Sequence, residues 1–154
     1  MSIELREAKA SDAAAICHLI RQAYAKWVPL IGREPKPMTA DYEVAVLRHR
    51  FDLLLSNGQL AALIETVDEG ERLLIENLAV APDFQRQGFG RLLLTHAEQL
   101  ARSLGKSYVR LYTNQRFVEN IRLYERLGYQ IDREEDVGVG IAIHMSKAVP
   151  LKAC

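Results

Sequence analysis

Between Leu74 and Leu94 the chain reads LIENLAVAPDFQRQGFGRLLL, and no other stretch limits its fold so tightly. The apolar run ending at Val80 has strand character, and Ala81-Pro82-Asp83 breaks it. A turn with two glycines, Gly88 and Gly90, then opens an amphipathic helix with Leu92, Leu93, Ala97, Leu100, Ala101 and Leu104 in register. A strand feeding a long helix through a short turn calls for layers in which helices cover a sheet. The first turn of such a helix leaves backbone N–H groups without intrahelical partners, and the aligned dipole favours negative charge there. Gly88 and Gly90 carry no Cβ, so a phosphate can come close to the backbone. Arg86 and Arg91 bring positive charge to the same turn. A diphosphate is its natural guest.

The flanking sequence supplies the other layers. Ile3 to Ala8 alternates as a first strand, and Ser11 or Asp12 caps a helix. That helix starts at Ala13, carries Ala15, Ile16, Leu19, Ile20, Ala23, Tyr24 and Trp27 at helical spacing, and is expected to end at Pro29. Residues 28–38 hold three of the five prolines and read as a loop. Thr39 is expected to cap a second helix over about residues 40–49. Phe51–Leu55, Leu60–Val67 and Arg72–Val80 then form an antiparallel meander, with a hairpin signal at Asn57-Gly58 and a turn at Asp68-Glu69-Gly70. After Gly105 terminates the long helix come a strand over Ser107–Thr113 and a helix over 118–127 stopped by Gly128. A strand begins at Tyr129–Ile131, and a last one covers Val139–Met145. The expectation is one α/β domain over residues 1–154 with a mixed sheet.

Composition narrows the class. Apolar residues make up 49% of the 154 and charged residues 26%, which excludes a disordered or fibrous chain. Twenty basic residues balance twenty acidic ones, so no global field draws the protein to nucleic acid or anionic membrane. Cys17 and Cys154 have the spacing of neither a disulfide framework nor a zinc site. No signal-peptide core and no long apolar span occurs, and a cytoplasmic location is expected. His18, His49, His96 and His144 form no i, i+4 pair, so no metal site is expected.

Two other phosphate loops are excluded. A dinucleotide fingerprint needs a third glycine where Leu93 stands. Gly105-Lys106-Ser107 imitates the end of a P-loop, but Leu100 occupies the upstream glycine position and the triplet closes a helix.

Gln85-Arg86-Gln87-Gly88-Phe89-Gly90 resembles the Q/R-x-x-G-x-G/A signature of the GNAT superfamily of N-acetyltransferases. The preceding Asn77-Leu78-Ala79-Val80-Ala81-Pro82 is similar to the family's strand, and Asn120 to Tyr129, with LYERLGY, to its later helix-and-strand element. The resemblance implies a mixed, mostly antiparallel central sheet flanked by helices, in the order β-α-α-β-β-β-α-β-α-β. It implies acetyl-CoA as co-substrate and no metal. Leu78, Ala79 and Val80 would pair through their backbone with the pantetheine amides, as an added strand would. Arg86, Gln87, Gly88, Phe89, Gly90 and Arg91 would cradle the diphosphate.

The chemistry then asks for a base. An alkyl amine has a pKa of about 10.4, so only about one molecule in a few thousand is neutral at pH 7. Glu76, on the strand face of Leu78 and Val80, is the candidate, acting directly or through water. The resemblance makes Tyr124 the acid that protonates the departing thiolate. Asn120, one turn earlier, is a further cofactor contact, although the commoner pattern has its Asn where Phe117 stands here. Tyr24, Trp27 and Tyr42 would wall the acceptor site, where aromatic faces attract a cation. Glu34 and Asp41 offer carboxylates to an amine, and His144 on the last strand would line the pocket. A small-molecule amine is the expected acceptor, with a homodimer among the assemblies the resemblance implies. The alternatives are a protein N-terminus or lysine as acceptor, or a non-catalytic acyl-CoA-binding module.

Overall fold

A computed structural model describes residues 2–150; Cys154 lies outside the described residues. Strands β1 (Ile3–Glu7), β2 (Arg50–Ser56), β3 (Gln59–Glu69), β4 (Arg72–Val80), β5 (Tyr108–Asn114), β6 (Gln130–Asp136) and β7 (Ile141–Ala148) follow the hydrogen-bonded order β1-β2-β3-β4-β5-β7-β6. Helices are α1 (Ala13–Tyr24), α2 (Val28–Ile31), α3 (Tyr42–Arg48), α4 (Phe89–Ser103) and α5 (Val118–Arg126). The sheet is mixed and mostly antiparallel, as the sequence led one to expect. β4 and β5 run parallel, and α4 supplies the crossover that a parallel pair requires.

The chain divides into two compact units, Met1–Val67 with Asn77–His96, and Asp68–Glu76 with Ala97–Cys154. In the first, β1 pairs antiparallel with β2, and β2 with β3. Asn57 and Gly58 both take positive φ, 51° and 82°, as a two-residue primed turn demands. Ile16, Leu19, Ile20 and Ala23 recur at i, i+3, i+4 and i+7 on α1 and are buried with Tyr42, Phe51 and Leu63. In the second unit, β4 pairs with β5 from Arg72↔Tyr108 to Ile75↔Leu111. β5 pairs antiparallel with β7, and β7 with the exposed strand β6.

Four local expectations need correction. The first helix stops at Tyr24 and gives way to a 3-10 turn, Ala25–Trp27, and then α2. Pro29 sits in the first turn of α2, where its missing N–H costs no hydrogen bond. Residues 28–38 are therefore not a plain loop, since they hold α2 and a second 3-10 turn, Lys36–Met38. Asp41, not Thr39, caps α3, its Oδ1 accepting from the Glu43 and Val44 amides at 3.0 and 3.3 Å. The order implied by the resemblance has one closing strand where the chain has two, as its residues suggested, and the last of them, β7, runs on to Ala148.

Candidate active site

In the first unit the constellation is built on the path from β4 to α4. Along β4 the half-buried Leu78 and Val80 alternate with buried Asn77 and Ala79, so the strand shows period two to its end. Leu78–Val80 lie past the last β4–β5 pair, Ile75↔Leu111. A 3-10 turn, Pro82–Phe84, leads to Arg86 and Gly88, with φ of 65° and 82°. Arg86 is one of two non-glycine residues in the left-handed region among the described residues. A Cβ placed on Gly88 would meet nothing within 4 Å, and one on Gly90 only Val80 Cγ2 at 3.9 Å. The turn is thus open over its backbone. The first α4 hydrogen bond of the usual kind runs from the Leu92 amide to the Gly88 carbonyl at 3.0 Å. The amides of Phe89, Gly90 and Arg91 precede it and form the donor end of the helix. Gln85, Arg86, Gln87 and Arg91 are exposed around them. The donor set fits a diphosphate: amides, guanidinium groups and a positive dipole end. The Phe89 side chain is buried, 6.3 Å from Phe84 ring to ring, so its backbone amide is what it offers.

The aromatic wall residues have separate fates. Tyr24 is half-buried, and its hydroxyl donates to Asn77 Oδ1 at 3.3 Å. Lys26 Nζ stands 4.8 Å from the Trp27 ring centroid, so the cation on that ring comes from the chain itself. Tyr42 is buried in the core and donates to the Pro37 carbonyl at 2.6 Å; its ring packs edge-on against Phe51. Glu34 is paired with Arg21 at 2.7 Å, and Asp41 caps α3.

A buried polar chain in this unit escaped sequence reasoning. Glu65, only 2% exposed, has Oε2 2.6 Å from His49 Nδ1 and accepts from Asn77 Nδ2 at 2.7 Å on Oε1. Since a carboxylate accepts, the Asn77 amide nitrogen turns to Glu65 and its oxygen to Tyr24. A Glu inside an apolar strand, Leu60 to Val67, was the available signal.

In the second unit Glu76 is half-buried, and its Oε1 accepts from the Tyr112 hydroxyl at 2.8 Å. Tyr112 was also missed. It lies beyond the β4–β5 register, which the sequence does not disclose. The Tyr112 ring packs against His144, centroids 5.7 Å apart. Arg110 Nη1, which can only donate, lies 3.3 Å from His144 Nδ1. Nδ1 is therefore the acceptor, and Nε2–H donates to Glu135 Oε1 at 2.9 Å. Arg110 also grips Glu69 through two hydrogen bonds, 2.6 and 3.1 Å. That contact raises the guanidinium pKa and lowers that of Glu69.

Tyr124 is buried on α5, and burial pushes its phenol up to about 12. Its ring lies 5.8 Å from that of Tyr129. Asn120 is half-buried one turn earlier, and buried Phe117 stands at the helix N-cap. Among the described residues no group of His, Cys, Asp and Glu is gathered as a metal site, and no helix is long and apolar enough to cross a membrane.

Residues 15–129 match the family described as Acetyltransferase (GNAT) family. YhfO of Bacillus subtilis, described as an uncharacterized N-acetyltransferase, is 30% identical over 97% of this chain and 100% of its own length. The [ribosomal protein bS18]-alanine N-acetyltransferase of Escherichia coli is 37% identical over 76 residues, 49% of this chain. A streptothricin acetyltransferase of Streptomyces lavendulae is 36% identical over 76 residues, 48% of this chain. The chain spans 51% of the length of the ribosomal-protein enzyme and 40% of that of the streptothricin enzyme. In fold, it is similar to the PaiA N-acetyltransferase of Thermoplasma acidophilum, solved in complex with coenzyme A. The TM-score is 0.84 at 19% identity, over 96% of this chain and 99% of that one.

Proposed function

The chain belongs to the acetyltransferase (GNAT) family, and from that premise we propose that it transfers the acetyl group of acetyl-CoA directly to a primary amine. The observation that carries this reading is the open turn from Arg86 to Arg91, with its unfilled backbone surface at Gly88 and the leading amides of α4. Backbone groups of Leu78, Ala79 and Val80 take the pantetheine amides. The amides of Phe89, Gly90 and Arg91 take the diphosphate, with Arg86, Gln87 and Arg91 around it. Asn120 is a further cofactor contact.

The amine lone pair attacks the thioester carbon, a C–N bond forms, and the C–S bond breaks. An ammonium acceptor first gives one proton to Glu76, directly or through water, and Glu76 passes it to solvent; after attack the second N–H proton leaves by the same carboxylate, and the sulfur departs as coenzyme A thiolate. Tyr124 serves that sulfur. A phenol pushed up to about 12 keeps its proton at neutral pH. Full transfer to a thiolate whose thiol has a pKa of about 8.5 runs uphill, so the hydroxyl first stabilises the leaving sulfur as a hydrogen-bond donor. Positioning of thioester and amine supplies much of the remaining acceleration.

The acceptor in this reading is a small-molecule amine near Tyr24 and Trp27. The helical turns that order residues 28–38 support it, because an ordered segment suits a bounded acceptor site. A protein N-terminus is the second reading, favoured by the ribosomal-protein relative. Thiol release from acetyl-CoA is measured with lysine, streptothricin and a peptide beginning with alanine, with mass detection of the acetylated amine. Turnover on lysine or streptothricin with little on the peptide is expected. Preference for the peptide selects the second reading. Coenzyme A binding without turnover on any amine would make the chain a binding module and defeat the proposal.

A further inference from the structure

Glu76 does not hold its position by itself. Resting on the reading of Glu76 as the base, we infer that Tyr112 is its positioning residue, a phenol that holds one carboxylate oxygen and keeps the other for the amine or its water. The hydroxyl donates to Glu76 Oε1 at 2.8 Å. The backbone explains why the two meet. The β4–β5 ladder aligns Ile75 with Leu111, so the next residues of two parallel strands, Glu76 and Tyr112, emerge side by side on one face. Tyr112 is itself held. It faces His144 across the β5–β7 ladder, and the two rings lie 5.7 Å apart at 38°. His144 is pinned from both sides, by Arg110 and by Glu135. Arg110 is anchored in turn by Glu69. The charged and titratable groups around the pair are therefore Arg110 on β5, His144 on β7, Glu135 on β6 and Glu69 at the end of β3.

This layering matters because a glutamate side chain has three rotatable bonds and loses catalytic efficiency when its carboxylate wanders. A base must sit within hydrogen-bond reach of the proton it takes, and groups locked by a supporting layer stay there. Hydrogen bonds donated to a carboxylate also favour its charged, proton-accepting form.

The test compares wild type, Tyr112→Phe and Glu76→Gln. The phenylalanine keeps the ring against His144 and removes only the hydroxyl. Steady-state kinetics use the best amine of the panel above, and calorimetry follows the melting temperature. Tyr112→Phe is expected to lower kcat about tenfold and to leave KM for acetyl-CoA within about twofold, with the melting temperature nearly unchanged. Wild-type kcat in Tyr112→Phe beside an inactive Glu76→Gln would overturn the positioning role alone. Full activity in Glu76→Gln would overturn the base itself, and the role of Tyr112 with it.

Discussion

Two glutamates on successive strands stand in contrasting surroundings. Glu65 on β3 is buried, with both carboxylate oxygens engaged, by His49 at 2.6 Å and Asn77 at 2.7 Å. Glu76 on β4 is half-buried and has one phenol on one oxygen. A carboxylate saturated by partners in the interior serves structure, because its desolvation is offset only while every partner stays. A carboxylate with one neutral donor and access to water keeps capacity for a proton in transit. On the proposed reading, burial and the number of donors divide the same residue type between stability and chemistry.

The sharpest way to break that contrast is to remove each carboxylate. Glu76→Gln should reduce kcat by about a hundredfold or more and leave thermal stability close to wild type. Glu65→Ala strands the Asn77 amide and His49, and should cost about 3 kcal/mol, a fall of roughly 10 °C in Tm. Kinetics beside calorimetry on both variants checks this. A Glu76 variant that melts early while Glu65→Ala stays stable would reverse the assignment.

The cofactor turn comes next. Gly88→Trp forces a side chain onto φ 82° and into the space over the turn. Strain of about 1–2 kcal/mol is expected in unfolding, and acetyl-CoA affinity should fall about a hundredfold by titration calorimetry. Undiminished affinity would count against the turn.

Tyr124→Phe should lower kcat roughly tenfold, with a small change in KM for acetyl-CoA. It also has a signature in stability. Burial raises the folded-state pKa from 10.0 to about 12, so the phenol binds its proton more tightly folded than unfolded. Its contribution is fully present below pH 10 and is lost as pH rises toward 12. Urea unfolding across that window should show a weaker pH dependence in Tyr124→Phe than in wild type.

The smallest effect is expected at Arg6–Asp12, two half-buried hydrogen bonds of 2.9 Å in the first unit. The Arg6 hydrogen bond, helped by the Lys9 amide, lowers the Asp12 carboxyl from 3.8 to about 2. The stabilisation is present above pH 3.8 and is lost as pH falls through about 2. Its size should be about 0.5 kcal/mol, since salt and water screen such a pair. Acid unfolding of Asp12→Asn against wild type measures it.

The contrast between the two glutamates also marks what the sequence disclosed. The turn from Val80 to Arg91 was legible because its chemistry is local: glycines, arginines and a helix start lie within one short stretch. The Asn57-Gly58 hairpin was legible for the same reason. Pro29 misled because a proline that ends one helix is equally suited to the first turn of the next. The family resemblance made Tyr42 a wall residue, because acceptor sites there use the first two helices and their connection, yet its hydroxyl reaches the Pro37 carbonyl and its ring joins the core. The pairs Tyr112–Glu76 and His49–Glu65 span 36 and 16 positions. They exist only once strand register is set: no local pattern encodes the β4–β5 register, and the β2–β3 register that the Asn57-Gly58 turn begins is shifted at Leu54/Leu55.

The central claim is that coenzyme A binds where β4 gives way to α4. A crystal structure of the chain soaked with coenzyme A tests it most directly. The account predicts the diphosphate on the amides of Phe89, Gly90 and Arg91, with Arg86 and Arg91 beside it. Coenzyme A bound elsewhere, or that turn filled by the chain's own side chains, would contradict it.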